Sequence, residues 1–303
     1  MSKPRILLMP DLKGWAQDGK ANGIIKYASD KYDFTKMYLA DIKKIKYNDW
    51  DLILLFPWFA YNQLPQPIKR EKMIAGVSSH RQLENVPDAK KILNERFAAL
   101  APVSWLLDGE LKNEHPSVFY CPNGVDTEVF VDYGKRSYTD APTFGWVGKE
   151  RWEGKNYKSI IERAIGEVYK TKFKSILVND MQQKKIPLFP AKKMVDYYNS
   201  IDVIMCASKS EGTPNPVLEG AACGTMVLSV QVGNVFEFGV PNYNYVEAER
   251  SVESFVECIK RIKKMTPRDR RFLSDNVKQT IRNVWSWKIR IRNYINMFDK
   301  LLG

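Results

Sequence analysis

The sequence predicts an α/β protein made of two doubly wound domains, each a parallel sheet with helices on both faces. Short apolar runs alternate with helical stretches, the pattern expected when strands are buried on both faces. The alternation pauses at a polar segment, 132–142, which is the best linker candidate, and then restarts. The chain has 303 residues, whereas single cores usually stop growing near ~250–300 residues. Two domains of this kind leave a cleft where ligands bind at the carboxyl ends of strands.

The first series of elements begins with "RILLMP". We expect strands at 5–10, 51–56, 72–79 and 117–122, and helices at 22–31 and 89–100. Between the first strand and the first helix lies a loop that holds Gly14, Gly19 and Gly23. Their spacing is not GxGxxG, so the loop is not a dinucleotide fingerprint.

The second series begins with "TFGWVG". We expect strands at 143–148, 174–179, 202–208 and 225–230, and helices at 156–169, 192–200, 216–223, 251–265 and 285–302. The last helix carries four aromatic residues, Trp285, Trp287, Tyr294 and Phe298, among basic ones. We interpret these aromatics as core, with a membrane-interface face as the alternative.

The composition indicates what kind of protein this is and what kind of partner it binds. An apolar fraction of 44% with 27% charged residues is that of a soluble globular protein. The net charge of +12 favours anionic partners such as nucleotide phosphates, nucleic acid or an acidic membrane face. No apolar run reaches the roughly 18 residues of a membrane span, and no cleavable-signal pattern precedes the first strand. We therefore expect a cytoplasmic protein, with peripheral membrane contact compatible with its basic surface.

Metal and disulfide chemistry have little support in the sequence. The four cysteines have no CxxC spacing, and there are only two histidines. Asp49 and Asp51 have the DxD spacing of some metal sites. We reject them as ligands because Asp51 precedes a strand, at the end opposite to the ligand-binding edge.

The segment "SEGTPNPVLEGAACG" (210–224) combines two glutamates with a proline-rich helix start. Glu211 follows the strand at 202–208, and Pro216 suits the first helical turn with Asn215 as the N-cap. Glu219 comes one turn into the helix. The segment offers carboxylates for sugar hydroxyls and backbone amides for phosphate oxygens. The alternative is a helix start with solvent-exposed capping acids.

This segment resembles the glutamate, seven residues, glutamate motif of the family-4 retaining glycosyltransferases. Those enzymes have the GT-B fold, two Rossmann-like domains facing a cleft. "CPNGVDTEVF" (121–130) resembles their domain crossing, and "TFGWVGKERWEGKN" (143–156) resembles the strand and loop that open their second domain. The resemblance implies an acceptor-side domain at 1–125, a donor-side domain at 126–284, and a helix at 285–303 that packs back toward the first domain.

The resemblance also implies roles for individual residues. Glu211 would contact the donor sugar, Glu219 the ribose hydroxyls, and Lys149 and Lys155 the diphosphate. His80, after the strand at 72–79, would lie against the donor sugar. Further donor-binding positions are Thr213, Asn215, Gly233 and Gly14.

The function implied is transfer of a sugar from a nucleoside-diphosphate sugar to an acceptor hydroxyl, with retention of configuration and without a metal or other cofactor. The acceptor would be a glycan, a lipid-linked sugar or a small molecule, and no nucleic acid partner is expected. One alternative is a noncatalytic protein of this fold that binds an anionic polymer such as nucleic acid. A second is another enzyme of the same fold, an epimerase or a phosphorylase.

Overall fold

The chain folds into two compact units in the computed structural model, which describes residues 2–44, 46–64, 68–178 and 190–303. Unit 1 comprises Met1–Gly124 and Trp287–Gly303, and unit 2 comprises Val125–Ser286. The sequence placed the first boundary after residue 125, one residue later.

Within the described residues, the strands are β1 (Arg5–Met9), β2 (Asp33–Lys36), β3 (Leu52–Leu55), β4 (Met73–Val77), β5 (Ala99–Pro102), β6 (Thr143–Gly148), β7 (Lys172–Leu177), β8 (Val203–Cys206), β9 (Met226–Ser229) and β10 (Val246–Glu247). The helices are α1 (Ala16–Ala28), α2 (His80–Asn85), α3 (Ala89–Arg96), α4 (Trp105–Lys112), α5 (Arg163–Glu167), α6 (Ala191–Asn199), α7 (Asn215–Ala222), α8 (Val235–Phe238), α9 (Val252–Lys264), α10 (Pro267–Val284) and α11 (Trp287–Leu302). Short 3₁₀ turns lie at Leu39–Lys44, Tyr47–Asp49, Trp58–Gln63, Arg70–Lys72 and Glu153–Lys155, and one π-helical turn at Tyr157–Glu162.

Each unit is built around one parallel sheet. The order in unit 1 is β2-β1-β3-β4-β5, and in unit 2 it is β10-β9-β8-β6-β7. Every described pairing between these strands is parallel. In both units the first strand has its successor on one side and the third strand on the other, which makes a topological switch point. In such sheets ligands bind outside the carboxyl ends at this point.

Several sequence predictions in unit 1 are wrong. Helix α1 begins at Ala16, so Gly19 and Gly23 lie in the helix and not in the loop before it, and β2 was not predicted. The segment at 117–122 is not a strand and makes only an isolated bridge between Val118 and Leu100. The strand is β5, which the sequence assigned to the end of a helix. Helix α3 stops at Arg96, and the alanine- and leucine-rich run after it pairs with β4. The residues of β5 are buried on both faces of the sheet, so no alternation of polar and apolar residues marks the strand in the sequence.

The predicted linker at 132–142 belongs to the body of unit 2. Arg136 donates hydrogen bonds to the backbone oxygens of Ile201 and Tyr198, both at 3.2 Å. Arg270 donates in the same way to the backbone oxygens of Tyr138 and of Asp140. The polar character that suggested a linker reflects a loop anchored by two arginines.

The aromatic side chains of the last predicted helix are buried, as the core interpretation predicted. Trp285 packs in the core of unit 2, whereas Trp287, Tyr294 and Phe298 pack on α1 and the sheet of unit 1. None of the four is more than 4% exposed. Among the described residues, no helix is both long and apolar enough to cross a membrane.

Substitutions at two glycines of unit 1 test how α11 packs in that unit. A Cβ added at Gly124 would lie 2.7 Å from the Cα of Trp287, a backbone atom that cannot turn away. We expect Gly124→Ala to lower the free energy of unfolding by ~1–3 kcal/mol, the usual cost of overpacking. A Cβ at Gly109, inside α4, meets nothing within 4 Å, so Gly109→Ala should stabilise by ~0.4–1 kcal/mol. Urea unfolding of both variants measures the difference, and equal stabilities would contradict the packing described.

Candidate functional site

Three loops meet at the carboxyl edge of the unit 2 sheet. They follow β6, β8 and β9, at 149–156, 207–214 and 230–234. Because β8 lies between β9 and β6 and all three strands are parallel, their carboxyl ends are adjacent. The switch point of this sheet lies between β6 and β8, so the first two loops flank the position where such sheets bind ligands.

The loops after β6 and β8 are tied together by two hydrogen bonds. The backbone N–H of Lys209 donates to the oxygen of Gly154 at 2.7 Å. The side-chain amide of Asn156 donates to the oxygen of Ala207 at 2.8 Å. Asn156 has φ of 51°, a left-handed conformation that asparagine adopts more readily than most residues. These bonds hold Lys155 beside the loop that carries Glu211.

Lys155 and Glu211 form an ion pair between these two loops. The ammonium of Lys155 contacts a carboxylate oxygen of Glu211, and the two side chains are only 19% and 12% exposed. The same ammonium lies 5.2 Å from the ring centre of Trp152. Burial lowers the pKa of Lys155, but the Glu211 carboxylate more than offsets this, so the pKa is raised overall. Lys155 therefore stays positively charged at neutral pH.

The loop after β9 packs against the Glu211 loop at Gly233. This residue has φ of 51°, and a Cβ on it would lie 2.6 Å from the backbone oxygen of Gly212. Only glycine fits at this position. The next residue, Asn234, is fully buried, accepts a hydrogen bond from the Thr213 hydroxyl at 2.5 Å and donates to Glu237 at 2.8 Å. The second and third loops are thus fixed to each other.

Glu219 lies in α7 and contacts a different partner. Its carboxylate accepts a hydrogen bond of 2.7 Å from the hydroxyl of Tyr198, which is on α6. Burial raises the pKa of Glu219 to about 7, although the Tyr198 hydrogen bond acts in the opposite direction. Glu211 and Glu219 are both partly buried, so they are not the exposed capping acids of the alternative interpretation.

The start of α7 differs from the sequence prediction. Asn215 is the first helical residue, and the N-cap position belongs to Pro214, without a side-chain cap. The backbone N–H of Asn215 donates to Thr213, that of Val217 donates to Pro214, and Pro216 has none. The amides of Asn215 and Val217 thus have acceptors within the chain, and phosphate binding at this helix start stays a prediction.

The other predicted site residues are spread over both units. Lys149 directly follows β6 and is partly buried. His80 begins α2 after β4 in unit 1, with its Nε2 3.5 Å from a carboxylate oxygen of Glu110. Gly14 is also in unit 1, with φ of 75°, and its N–H donates to Asp18 at 2.7 Å. The structure therefore brings Glu211, Lys155, Thr213 and Gly233 together, while Gly14 and His80 lie on the other unit.

Sequence reasoning missed the partners of the predicted residues. Tyr198, Asn234, Asn156 and Trp152 each contact one of the three loops or Glu219. Trp152 and Asn156 lie in the segment 143–156 that carries the resemblance, but no role was predicted for either of them. Of these four residues, Asn234 was the easiest to find from the sequence, since it directly follows the predicted site residue Gly233. The rejected Asp51 accepts a hydrogen bond from the N–H of Arg5 at the start of β1. Within the described ranges, no group of three or more histidine, cysteine or acidic residues is placed to hold a metal ion.

A family model agrees with the resemblance found in the sequence. The model described as "Glycosyl transferases group 1" matches residues 163–280, a range that includes the loops after β8 and β9 and the whole of α7. The match covers less than half of the chain and shows that this part is similar to the group 1 glycosyltransferases. No curated protein matches the chain.

Solved structures agree on the fold. Sucrose-phosphate synthase from Thermosynechococcus elongatus superposes with a TM-score of 0.78 at 13% identity, covering 99% of both chains. HepE of Anabaena in complex with UDP-glucose gives 0.74 at 11% identity over 98% of this chain and 99% of that one. A glycosyltransferase from Rickettsia africae gives 0.70 at 14% identity over both full chains. The GT-B fold and the resemblance to its glycosyltransferases are confirmed, while the retaining reaction of family 4 stays a prediction.

The environment of Glu219 predicts a pH-dependent stability. Its pKa in the folded protein, about 7, lies above the ordinary value of 4.5, so its ionisation opposes folding. The stabilising contribution of the protonated form is complete below pH 4.5 and is lost as the pH rises to 7. We expect Glu219→Gln to gain stability relative to wild type between pH 5 and 8, measured by urea unfolding. Glu257→Gln, at an exposed position of α9, is the control and should keep a constant difference.

Proposed function

We propose that this chain is a retaining glycosyltransferase that moves a sugar from a nucleoside-diphosphate sugar to an acceptor hydroxyl. The observation that carries the proposal is the partly buried Lys155–Glu211 pair at the switch point of the unit 2 sheet. A carboxylate accepts hydrogen bonds from sugar hydroxyls, and an ammonium binds phosphate oxygens. A nucleotide sugar has both groups joined in one molecule. The group 1 match and the UDP-glucose bound to HepE support this class of donor.

The lysines would stabilise the leaving diphosphate. As the bond from the sugar to the phosphate breaks, negative charge develops on the departing oxygen, and a preorganised cation lowers the energy of that state. Lys155 is held in place before the donor arrives, because Glu211 neutralises it and the Asn156 and Lys209 hydrogen bonds fix its loop. With the α7 amides engaged, we assign the diphosphate to Lys155 and Lys149, and propose no metal.

The remaining residues would surround the rest of the donor. We propose that Glu219 binds the ribose hydroxyls through the carboxylate oxygen that does not accept from Tyr198. Thr213 lies in the Glu211 loop, Asn215 follows it and Gly233 packs against it. All three would contact the donor sugar and its phosphates. The predicted donor-binding roles of His80 and Gly14, which lie in unit 1, stay predictions.

Nucleotide binding is the first test of this proposal. We expect one of UDP, GDP, ADP and dTDP, added without metal, to raise the melting temperature of the wild type. At about 100 times its dissociation constant the ligand adds ~2.7 kcal/mol, a shift of several degrees. If none of the four raises the melting temperature, with or without Mg²⁺, the donor site is wrong and binding of an anionic polymer becomes the leading function.

Turnover tests the role of Lys155. We expect Lys155→Gln to lower kcat by ~10²–10³, by analogy with the loss of one oxyanion donor. Lys158→Gln is the matched control, since Lys158 is exposed and pairs only with Glu150 among the described contacts. Nuclear magnetic resonance of the product should show the anomeric configuration of the donor. Equal turnover of the two variants would show that Lys155 has no role in catalysis. A product with the opposite anomeric configuration would exclude a retaining reaction.

A further inference from the structure

Tyr198 is held in one position by its surroundings. Its side chain is fully buried, and its ring lies 5.5 Å from that of Tyr197 and 6.1 Å from that of Phe130. Its backbone oxygen accepts a hydrogen bond from Arg136 at 3.2 Å. A Cβ on Gly220 would come within 3.3 Å of the ring, so α7 passes close to the tyrosine. The hydroxyl is therefore aimed at Glu219 by packing on several sides.

A phenol has only one proton to donate, and Tyr198 gives it to Glu219 at 2.7 Å. Donation to a carboxylate favours the ionised form, whereas burial favours the protonated form. The ionised form is the one that can accept hydrogen bonds from both hydroxyls of a ribose, because a protonated carboxyl also carries a donor. The hydrogen bond from Tyr198 therefore increases the ionised fraction of Glu219, the form that binds ribose, whereas burial decreases it.

We propose that Tyr198 is a positioning residue that keeps the carboxylate of Glu219 ionised and turned toward the ribose of the donor. This rests on the proposed function, in which Glu219 binds the ribose. Tyr198 does not touch the donor. Its hydrogen bond occupies one carboxylate oxygen, fixes the rotation of the group and leaves the other oxygen for the ligand. Nucleotide affinity then depends on pH near neutrality, and the midpoint depends on Tyr198.

Two other titratable groups of the described residues, Cys223 and Tyr197, act on this pair. Cys223, at the end of α7, interacts with both Glu219 and Tyr198, and Tyr197 interacts with Tyr198. Burial raises the pKa of Cys223 to about 12 and that of Tyr198 well above its ordinary value, so both stay neutral between pH 5.5 and 9. The charged groups that act on the Cys223 thiol are Arg136 and Asp132, which lie in one loop, and Arg282 of α10. Glu219 is thus the group of this cluster that titrates near neutrality.

The test is the pH dependence of nucleoside-diphosphate affinity, measured by calorimetry from pH 5.5 to 9 with whichever of UDP, GDP, ADP and dTDP binds best. In wild type we expect affinity to rise with a midpoint near pH 7. In Tyr198→Phe the midpoint should move up by about one unit, since a hydrogen bond to a charged group is lost. Affinity should then fall about fivefold at pH 7 and recover at pH 9.

Two controls separate positioning from packing. Tyr197→Phe removes the hydroxyl of the adjacent tyrosine, whose one proton is shared between the backbone oxygens of Trp146 and Lys174, each at 3.0 Å, and is not given to Glu219. It should leave the midpoint unchanged. Glu219→Gln should bind weakly and show only the titration of the nucleotide itself. A loss of affinity in Tyr198→Phe that is equal at every pH would mean a structural role and overturn the proposal.

A second substitution covers the case in which Tyr198→Phe does not fold. Fluorotyrosine placed at position 198 keeps the ring and donates a stronger hydrogen bond, so the midpoint should move below that of wild type. An unchanged midpoint would overturn the positioning role alone. If wild type binds none of the four nucleotides, or Glu219→Gln binds as wild type does at all pH values, the ribose assignment fails and the positioning role fails with it.

Discussion

The ion pair between Lys155 and Glu211 is the interaction on which the candidate site depends. A partly buried charge is expensive unless it is paired, and removal of one partner of a buried pair typically costs ~3–5 kcal/mol. The two residues come from loops after different strands, so β6 and β8 must end side by side for the pair to form. The hydrogen bonds of Lys209 and Asn156 across the same loops hold that arrangement. The ion pair and the two loops that carry it are thereby already in place in the structure without a ligand.

The two glutamates of the motif have the same side chain but different surroundings. Glu211 contacts a cation, whereas Glu219 contacts a neutral phenol and has a pKa raised to about 7 by burial. A carboxylate with a cationic partner is suited to a site where a diphosphate later takes over that cation. A carboxylate held by Tyr198 is suited to hydroxyl groups, which bring no charge of their own. The spacing of the motif alone does not distinguish Glu211 from Glu219.

Sequence reasoning succeeded where each element has a pattern of its own and failed where it does not. The strand at Thr143–Gly148 was predicted with its observed bounds, because a β-rich apolar run stands between a polar loop and a glycine. Strand β5 was missed because its buried alanines and leucine continue the composition of α3. The edge strand β2 was missed because only part of its "DFTK" sequence is apolar. The hydrogen bonds of the first α7 amides were not foreseen, because backbone hydrogen bonds in a turn do not depend on residue types that a sequence shows.

The sequence by itself determined the two α/β series, the glutamate motif, the nearby lysines and the aromatic core of the last helix. These features depend on residue type and short spacing, which local physics interprets directly. Only the tertiary structure decided that Lys155 meets Glu211, that Glu219 meets Tyr198, and that Gly233 packs on the Glu211 loop. Such pairs lie tens of residues apart. They form because β8 pairs with β6 and β9, an order of strands that the apolar runs leave open, since any buried parallel strand presents the same pattern to its neighbours.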